Sequence, residues 1–334
     1  MIDEIITLDY GSGGKKTSAL IEEMILPRFR NEALEQLGDG AVLEGFEKIV
    51  FSTDSFVVSP YFFPGGDIGK LAVCGTVNDI SMAGGEPKYI SLAAIIEEGF
   101  ETADLQRILD SAAKTAEMAG VKIVTGDTKV VERGKADGIY LNTAGIGFLR
   151  CPALSPGRLQ KGDKVLVSGT VGDHGLAVML ARNGNLVQGD LKSDCAPLNK
   201  ISSLLYNLGE NLRVLRDPTR GGLATTLCEF AEGSGLSIEI EEAAVPVKEE
   251  VAAASDILGL DPFYAANEGK LIAVVSAEAA EEALRLLKSH ELGKDAAVIG
   301  EVTDSRPGKV IIRTALGGSR IAAKLTGAQL PRIC

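Results

Sequence analysis

The sequence predicts an α/β protein (α+β mixed) with two domains, and three observations carry that prediction. Its 334 residues exceed the roughly 150 of one ordinary domain. Apolar, β-branched runs alternate with segments of helical period in both halves. A Pro- and Gly-rich stretch, "RCPALSPGRLQKGD", then breaks the alternation and marks a boundary. The expected units are residues 1–150, residues 151–318 and a mobile tail, 319–334, that follows a Gly-Gly hinge.

The elements are expected in the following order. A Gly-rich stretch, "DYGSGGKKT", precedes the amphipathic segment "SALIEEMILPRF". Strands lie within 41–58, after a "GDGA" turn, and a helix spans 67–84 behind a Pro-Gly-Gly turn. "KYISLAAII" is a strand, and "TADLQRILDSAAKTAEMAG" is a helix with Thr102 as its N-cap. "VKIVTG" and "GIYLNTAGIGF" are strands. In the second half "KVLVSG", "SIEIEE" and "KLIAVVS" read as strands, and 296–314 holds two more. "GLAVMLARNG", "GGLATTLCEFAEGSG" and "AEAAEEALRLLKSH" read as helices.

Bulk composition removes several classes of function. A formal charge of -12 argues against nucleic acid or an anionic membrane as the main partner. Trp is absent and aromatics are few, which leaves no stacking platform for bases. No apolar run reaches 18 residues, and "MIDEIITLDY" lacks the basic-then-apolar order of a signal peptide. The five cysteines are widely spaced, no CxxC occurs, and only His174 and His290 could join them. A disulfide framework or zinc site is not expected, and a reducing cytoplasm is.

Five short strings carry chemistry. "GSGGKKT" is not a P-loop: the residue five before Gly14 is Asp9, and Lys15 is followed by Lys16. Its glycines and lysines suit either a phosphate lid or a basic loop. Aspartates recur at element ends: Asp39, Asp54, Asp79, Asp127 and Asp217. Each alone serves as a turn or cap residue; together they suit an oxygen-only Mg²⁺ site with a bound triphosphate. Asp79 shares a helix face with Leu71 and Gly75, poor company for a carboxylate unless a cation or donor waits there.

"RDPTRGGLATTL" feeds a helix start through two glycines flanked by Arg216 and Arg220, which suits an anion pocket or a solvated turn. "VSGTVGDHG" has the spacing GxxGxxG and not that of a dinucleotide fingerprint, so His174 reads as a structural turn residue. In "YAANEGKLIAVVS", Glu268 just before a strand could be a general base or a solvated turn carboxylate. Lys129 in "GDTKVV" could neutralise phosphate charge. Cys334 closes the sequence in "AQLPRIC", where the adjacent α-carboxylate should raise the thiol pKa and Arg332 should partly oppose it.

Read as a set, these strings resemble the HypE family of hydrogenase maturation factors. The family belongs to the superfamily of aminoimidazole ribonucleotide synthetase, selenophosphate synthetase and thiamine-monophosphate kinase. "GDGA", "TD", "NDI" and "GDT" match the superfamily, while "VSGTVGDHG", "RDPTRGGLA", "NEGK" and "PRIC" match the family itself. One departure is Tyr10, where the family has His before "GSGG", so no role is carried to that position.

The resemblance implies a two-domain PurM-like fold whose N-terminal sheets pair across a homodimer into a barrel-like core. It implies ATP and Mg²⁺ as cofactors, with Asp39, Asp54, Asp79, Asp127 and Asp217 at the metal. Gly13, Gly14, Lys15, Thr53, Asn78, Gly126 and Thr128 would contact the nucleotide. Cys334 would carry a carbamoyl group loaded by HypF, which ATP-dependent dehydration converts to a thiocyanate. Glu268 would act as base and Lys129 would assist the phosphates. The cyano group would pass to the HypC–HypD complex as a ligand of [NiFe]-hydrogenase iron. The alternative within the superfamily is another ATP-dependent small-molecule synthetase or kinase, which has no need of Cys334.

Overall fold

The computed structural model describes residues 2–12, 14–36, 40–182, 190–325 and 332–334. Near the N-terminus, α1 (Lys15–Leu20) continues through a π-helical turn, Ile21–Ile25, into α2 (Leu26–Phe29). Pro27 explains the wide turn: it offers no N–H, and its ring crowds the carbonyl one turn back. Tyr10, at the departure from the family pattern, is buried and accepts the Asp3 N–H on its hydroxyl at 2.7 Å.

The first half builds a four-stranded sheet from β1 (Ile49–Phe56), β4 (Gly85–Glu97), β5 (Lys122–Val131) and β6 (Ile139–Leu149), in the order β1-β6-β4-β5. A two-residue hairpin, β2 (Phe62–Phe63) with β3 (Gly66–Asp67), leads into α3 (Ile68–Met82). Asp67 caps that helix, its Oδ1 accepting the N–H groups of Gly69 and Lys70 at 2.8 and 3.0 Å. The parallel strands β4 and β5 are joined by α4 (Thr102–Ala119), which buries Leu105, Ile108, Leu109 and Ala112 against the same side of the sheet. The leucines and the isoleucine each contribute roughly 1.5–3 kcal/mol on burial. Residues 41–48, expected to be extended, lie outside the strands; β1 begins at Ile49.

Strand alternation then separates two faces. Asp54, Thr143, Leu92 and Gly126 lie in one cross-strand row, and Thr143 is fixed to α3 through Thr76 Oγ1 and the Ala72 carbonyl. The next row, Ser55, Asn142, Ala93 and Asp127, faces the other way. That outer face leaves Ile49, Phe51 and Ile95 exposed.

The second half is a seven-stranded mixed sheet ordered β13-β12-β9-β11-β7-β10-β8. In chain order its elements are β7 (Lys164–Val167), α5 (Asp173–Arg182), α6 (Asn199–Tyr206), β8 (Leu212–Arg216), α7 (Gly222–Ser234) and β9 (Ser237–Glu241). There follow α8 (Glu249–Leu258), β10 (Ile272–Val275), α9 (Ala280–Lys288), β11 (Ala297–Thr303), β12 (Val310–Arg313) and β13 (Ser319–Ala322). Alternate residues of each strand feed two cores. Val165, Val214, Ile272 and Val274 meet α7, whereas Leu166, Leu215 and Ala273 meet α6 and α9. The interior strand β10, between β7 and β8, is therefore apolar at every position.

The expected loose tail does not start at Ser319. Ser319–Ala322 pairs antiparallel with β12, turning at Gly317 and Gly318, because alternation buries Ala322 beside Val310. Among the described residues, no helix is long and apolar enough to cross a membrane.

Candidate active site

The two halves meet around a cavity of about 330 Å³. Asp54 reaches it from β1 and Asp79 from α3; Asp217 follows β8, and Glu268 precedes β10. The wall is completed by Arg216, Arg220, Thr53 and the Cys334 side chain. Three of the five candidate aspartates thus converge with the predicted base and with Cys334. Asp79 has the companion expected of it: Gly75, one turn earlier, also lines the cavity, and Ser52 Oγ–H donates to Asp79 Oδ2 at 2.7 Å.

Crowded acids in a closed space resist ionisation. Burial, with Asp79 nearby, raises the Asp54 carboxyl above its ordinary range, and burial likewise raises Asp79. Asp217, 4% exposed, is pushed up to about 7 by burial and the neighbouring Asp79. Glu268, 2% exposed, is raised well above its ordinary value, chiefly by burial. Among the described residues its Oε1 has no hydrogen-bond partner, a costly state for a buried oxygen unless a ligand supplies a donor. Among the described residues, no three His, Cys, Asp or Glu side chains lie close enough to hold a metal ion by themselves.

The loops that aim these groups are knitted together by two buried amides. Asn267 Oδ1 accepts the Gly172 N–H at 2.8 Å, and its Nδ2 donates to the carbonyls of Pro218 and Ala265. Asn78, expected to touch nucleotide, is instead fully buried and committed to the main chain. Its Nδ2 donates to the carbonyls of Ala196 and Glu268, and its Oδ1 accepts the Leu198 N–H at 2.7 Å. Gly269 is required by the same packing, since a Cβ there would lie 1.8 Å from the Asp194 carbonyl oxygen.

Residues 332–334 are docked on the first half. Val57 N–H donates to the Cys334 carbonyl at 3.1 Å, and Ser59 N–H to that of Arg332 at 3.2 Å. Arg332 returns hydrogen bonds to the Val57 carbonyl and Asp137, while Arg182 holds the Arg332 and Ser59 carbonyls. Ile333 is buried in the first core. The Cys334 thiol is pushed up to about 12 by burial and then by Glu268, with Asp54 adding and Arg220 opposing. Burial and buried acids, not Arg332, govern that thiol.

A second cavity, about 290 Å³, lies at the β5 edge of the same sheet. Gly126, Asp127 and Thr128 line it with Leu92 and Val124, and the helical segment after the Gly-rich loop supplies Thr17 and Ile21. Gly14 caps that segment and Lys15 opens it, exposed. Lys129 Nζ lies 2.7 Å from Asp127 Oδ1 and holds that carboxyl low, and neither residue lines the cavity of Cys334. Asp39 and Gly13 lie outside the described residues.

Sequence reasoning passed over α6, α8 and the stretch Ser193–Cys195. His174, read as a turn residue, is buried between Ser193 and the tail. Only the strings "GDHG" and "NEGK" signalled the region, and nothing local announces partners 159 residues away.

Comparison with known proteins sets the class and then the family. The family models for the AIR synthase related protein match residues 37–149 with the N-terminal domain and 160–313 with the C-terminal domain. The chain is 47% identical over 332 residues to the carbamoyl dehydratase HypE of Azotobacter vinelandii, covering 98% of this chain and 97% of that one. A crystal structure of hydrogenase maturation protein HypE in complex with ATP superposes with a TM-score of 0.95 at 48% identity, covering 98% and 99% of the two chains. The structure of a HypE–HypF complex matches at 52% identity and a TM-score of 0.81, covering 92% of this chain and 100% of that one. The chain belongs to the HypE carbamoyl dehydratase family.

Proposed function

We propose that this protein uses ATP to dehydrate a carbamoyl group carried on Cys334, forming a thiocyanate that supplies the cyanide ligand of [NiFe]-hydrogenase iron. One observation carries the reading: Cys334 shares a cavity with three aspartates and the buried Glu268 carboxyl, whose Oε1 has no hydrogen-bond partner among the described residues. A thiocarboxamide on Cys334 would bring N–H donors to the Glu268 oxygen that lacks one.

The residues fit the chemistry. Asp54, Asp79 and Asp217 form a hard, oxygen-only set whose mutual repulsion a divalent cation relieves. Mg²⁺ bound there would complete its shell with phosphate oxygens and water, and it supplies charge neutralisation for phosphoryl transfer. Arg216 and Arg220 add positive charge on the same wall. The amide oxygen, a poor leaving group, takes the γ-phosphoryl group and leaves as phosphate. Two N–H protons depart as the C≡N bond forms: the ionised Glu268 carboxylate is placed to accept one, and the leaving phosphate carries the other. Lys129 and Asp127, on the far edge strand, belong to the nucleotide side with Gly126 and Thr128.

HypF as carbamoyl donor, the HypC–HypD complex as acceptor and a homodimer complete the proposal, in a cytoplasm that keeps five free thiols reduced. A dimer would seal the exposed Ile49, Phe51 and Ile95. Closing two such sheets into a barrel brings the β5 edge of one copy beside the β1 edge of the other. The test is intact-mass analysis after HypF, carbamoyl phosphate and ATP. A carbamoyl adduct on the Cys334 peptide that then loses one water is expected; an adduct unchanged by ATP overturns the dehydration.

A further inference from the structure

We propose that His174 is a positioning residue for this reaction, a clamp that seats the Ile333 carbonyl and thereby holds the Cys334 side chain in the cavity of Glu268. The inference rests on Cys334 being the carrier.

The imidazole has no exposure, and both of its nitrogens are engaged. Nε2 lies 2.6 Å from the Ile333 carbonyl oxygen, and Nδ1 lies 2.8 Å from Ser193 Oγ. A carbonyl only accepts, so Nε2 carries the proton and donates it to Ile333. Burial keeps the ring neutral, so Nδ1 accepts from the Ser193 hydroxyl, whose oxygen in turn accepts the Cys195 N–H at 3.1 Å. Ser193 therefore selects the tautomer that can hold the tail. The ring also meets Phe63 edge to face at 5.4 Å, which fixes its plane.

The clamp shares its support with the base. Residues 193–196 bind His174 at one end and Glu268 at the other: Asp194 Oδ1 accepts the Glu268 N–H at 3.1 Å, and Ala196 N–H donates to the Glu268 carbonyl at 3.2 Å. Lys270 approaches Asp194 at 3.4 Å and steadies that stretch. One four-residue stretch thus sets both the seat of the carrier and the height of the carboxyl that faces it. A histidine serving only α5 would have no need to reach the main chain beside the reactive thiol.

The experiment compares the full-length protein with His174→Phe and His174→Gln. Phe keeps the ring volume without polar atoms; Gln offers an amide N–H near the Nε2 position. Two readouts are taken: iodoacetamide labelling of Cys334 on the unloaded protein, located by peptide mass, and single-turnover water loss from the carbamoylated protein with ATP. For His174→Phe we expect labelling at least tenfold faster and water loss at least tenfold slower, with the ATP concentration dependence unchanged. His174→Gln should recover much of both. Equal labelling and water-loss rates in folded His174→Phe and wild type overturn the clamp. Should that variant not fold, Ser193→Ala decides, with severalfold changes expected in the same directions and unchanged rates overturning the proposal. Failure of wild-type water loss would instead strike the dehydration reading, which labelling of the unloaded thiol does not depend on.

Discussion

Asp54 and Asp127 sit on opposite edge strands of one four-stranded sheet and face opposite sides of it. Three strand spacings separate the edges, roughly 14 Å, too far for two carboxylates to share a cation within one chain. Two copies whose sheets close edge to edge would set one copy's β5 beside the other's β1, so that a metal–nucleotide complex reaching around the seam could meet both carboxylates. Asp54→Asn and Asp127→Asn should each be inactive alone. Denatured and refolded as an equal mixture, they should recover about a quarter of wild-type dehydration, since half the dimers would hold one intact site of two. No recovery in a mixture shown to contain hybrid dimers would place all the metal ligands in one chain.

Glu268→Gln preserves shape while removing the proton acceptor. Because the buried carboxyl already resists ionisation, the amide should leave thermal stability close to wild type. Water loss from carbamoylated Cys334 should fall about 100-fold or more, the usual scale for a lost general base. A loss under threefold in single-turnover measurements would assign the base elsewhere.

The thiol makes a signed pH prediction. Docked, Cys334 is pushed up to about 12, so about one molecule in 10⁴ is thiolate at pH 8, against about a quarter of free cysteine side chains. Docking favours the protonated thiol, so its stabilisation is complete below the free value near 8.5 and is lost as pH rises toward 12. Alkylation of Cys334 should climb about tenfold per unit between pH 8 and 11. A plateau above pH 9 would show the thiol free of the cavity.

Asn78 and Gly269 should behave as structural joints. Asn78→Ala removes three buried hydrogen-bond contacts to the second half and should cost about 2–4 kcal/mol, read by denaturant unfolding. Gly269→Ala drives a methyl into the Asp194 carbonyl and should cost about 1–3 kcal/mol while shifting Glu268. In Gly269→Ala, water loss should fall further than global stability explains; unchanged turnover would show that Glu268 tolerates the displacement.

Much of this was legible in the sequence, for physical reasons that also set its limits. Alternation of period announced the strands β4, β6 and β10, because each buries at least one side against helices. The short helix α6 escaped, with a pattern of only eight residues before the chain turns. Ser319–Ala322 escaped because an edge strand with one apolar side shows weak alternation. Asp79 was readable as misplaced charge on an apolar helix, yet the division of Asp54 from Asp127 depends on strand register. Asn78 looked like a ligand for want of any sign that its amide was already committed.

The pairing of β13 with β12 also fixes the length of the carrier. With Ser319–Ala322 held in the sheet, twelve residues, 323–334, separate that anchor from the thiol, a contour of at most roughly 40 Å. A substrate carried on Cys334 by so short a leash would meet its own cavity at about millimolar effective concentration, whatever the abundance of the protein. The reaction is then first order in loaded chains, and no free cyanide-yielding intermediate need diffuse. An acceptor of the product would have to come within that radius, so tether length as well as affinity would define which partner can collect it.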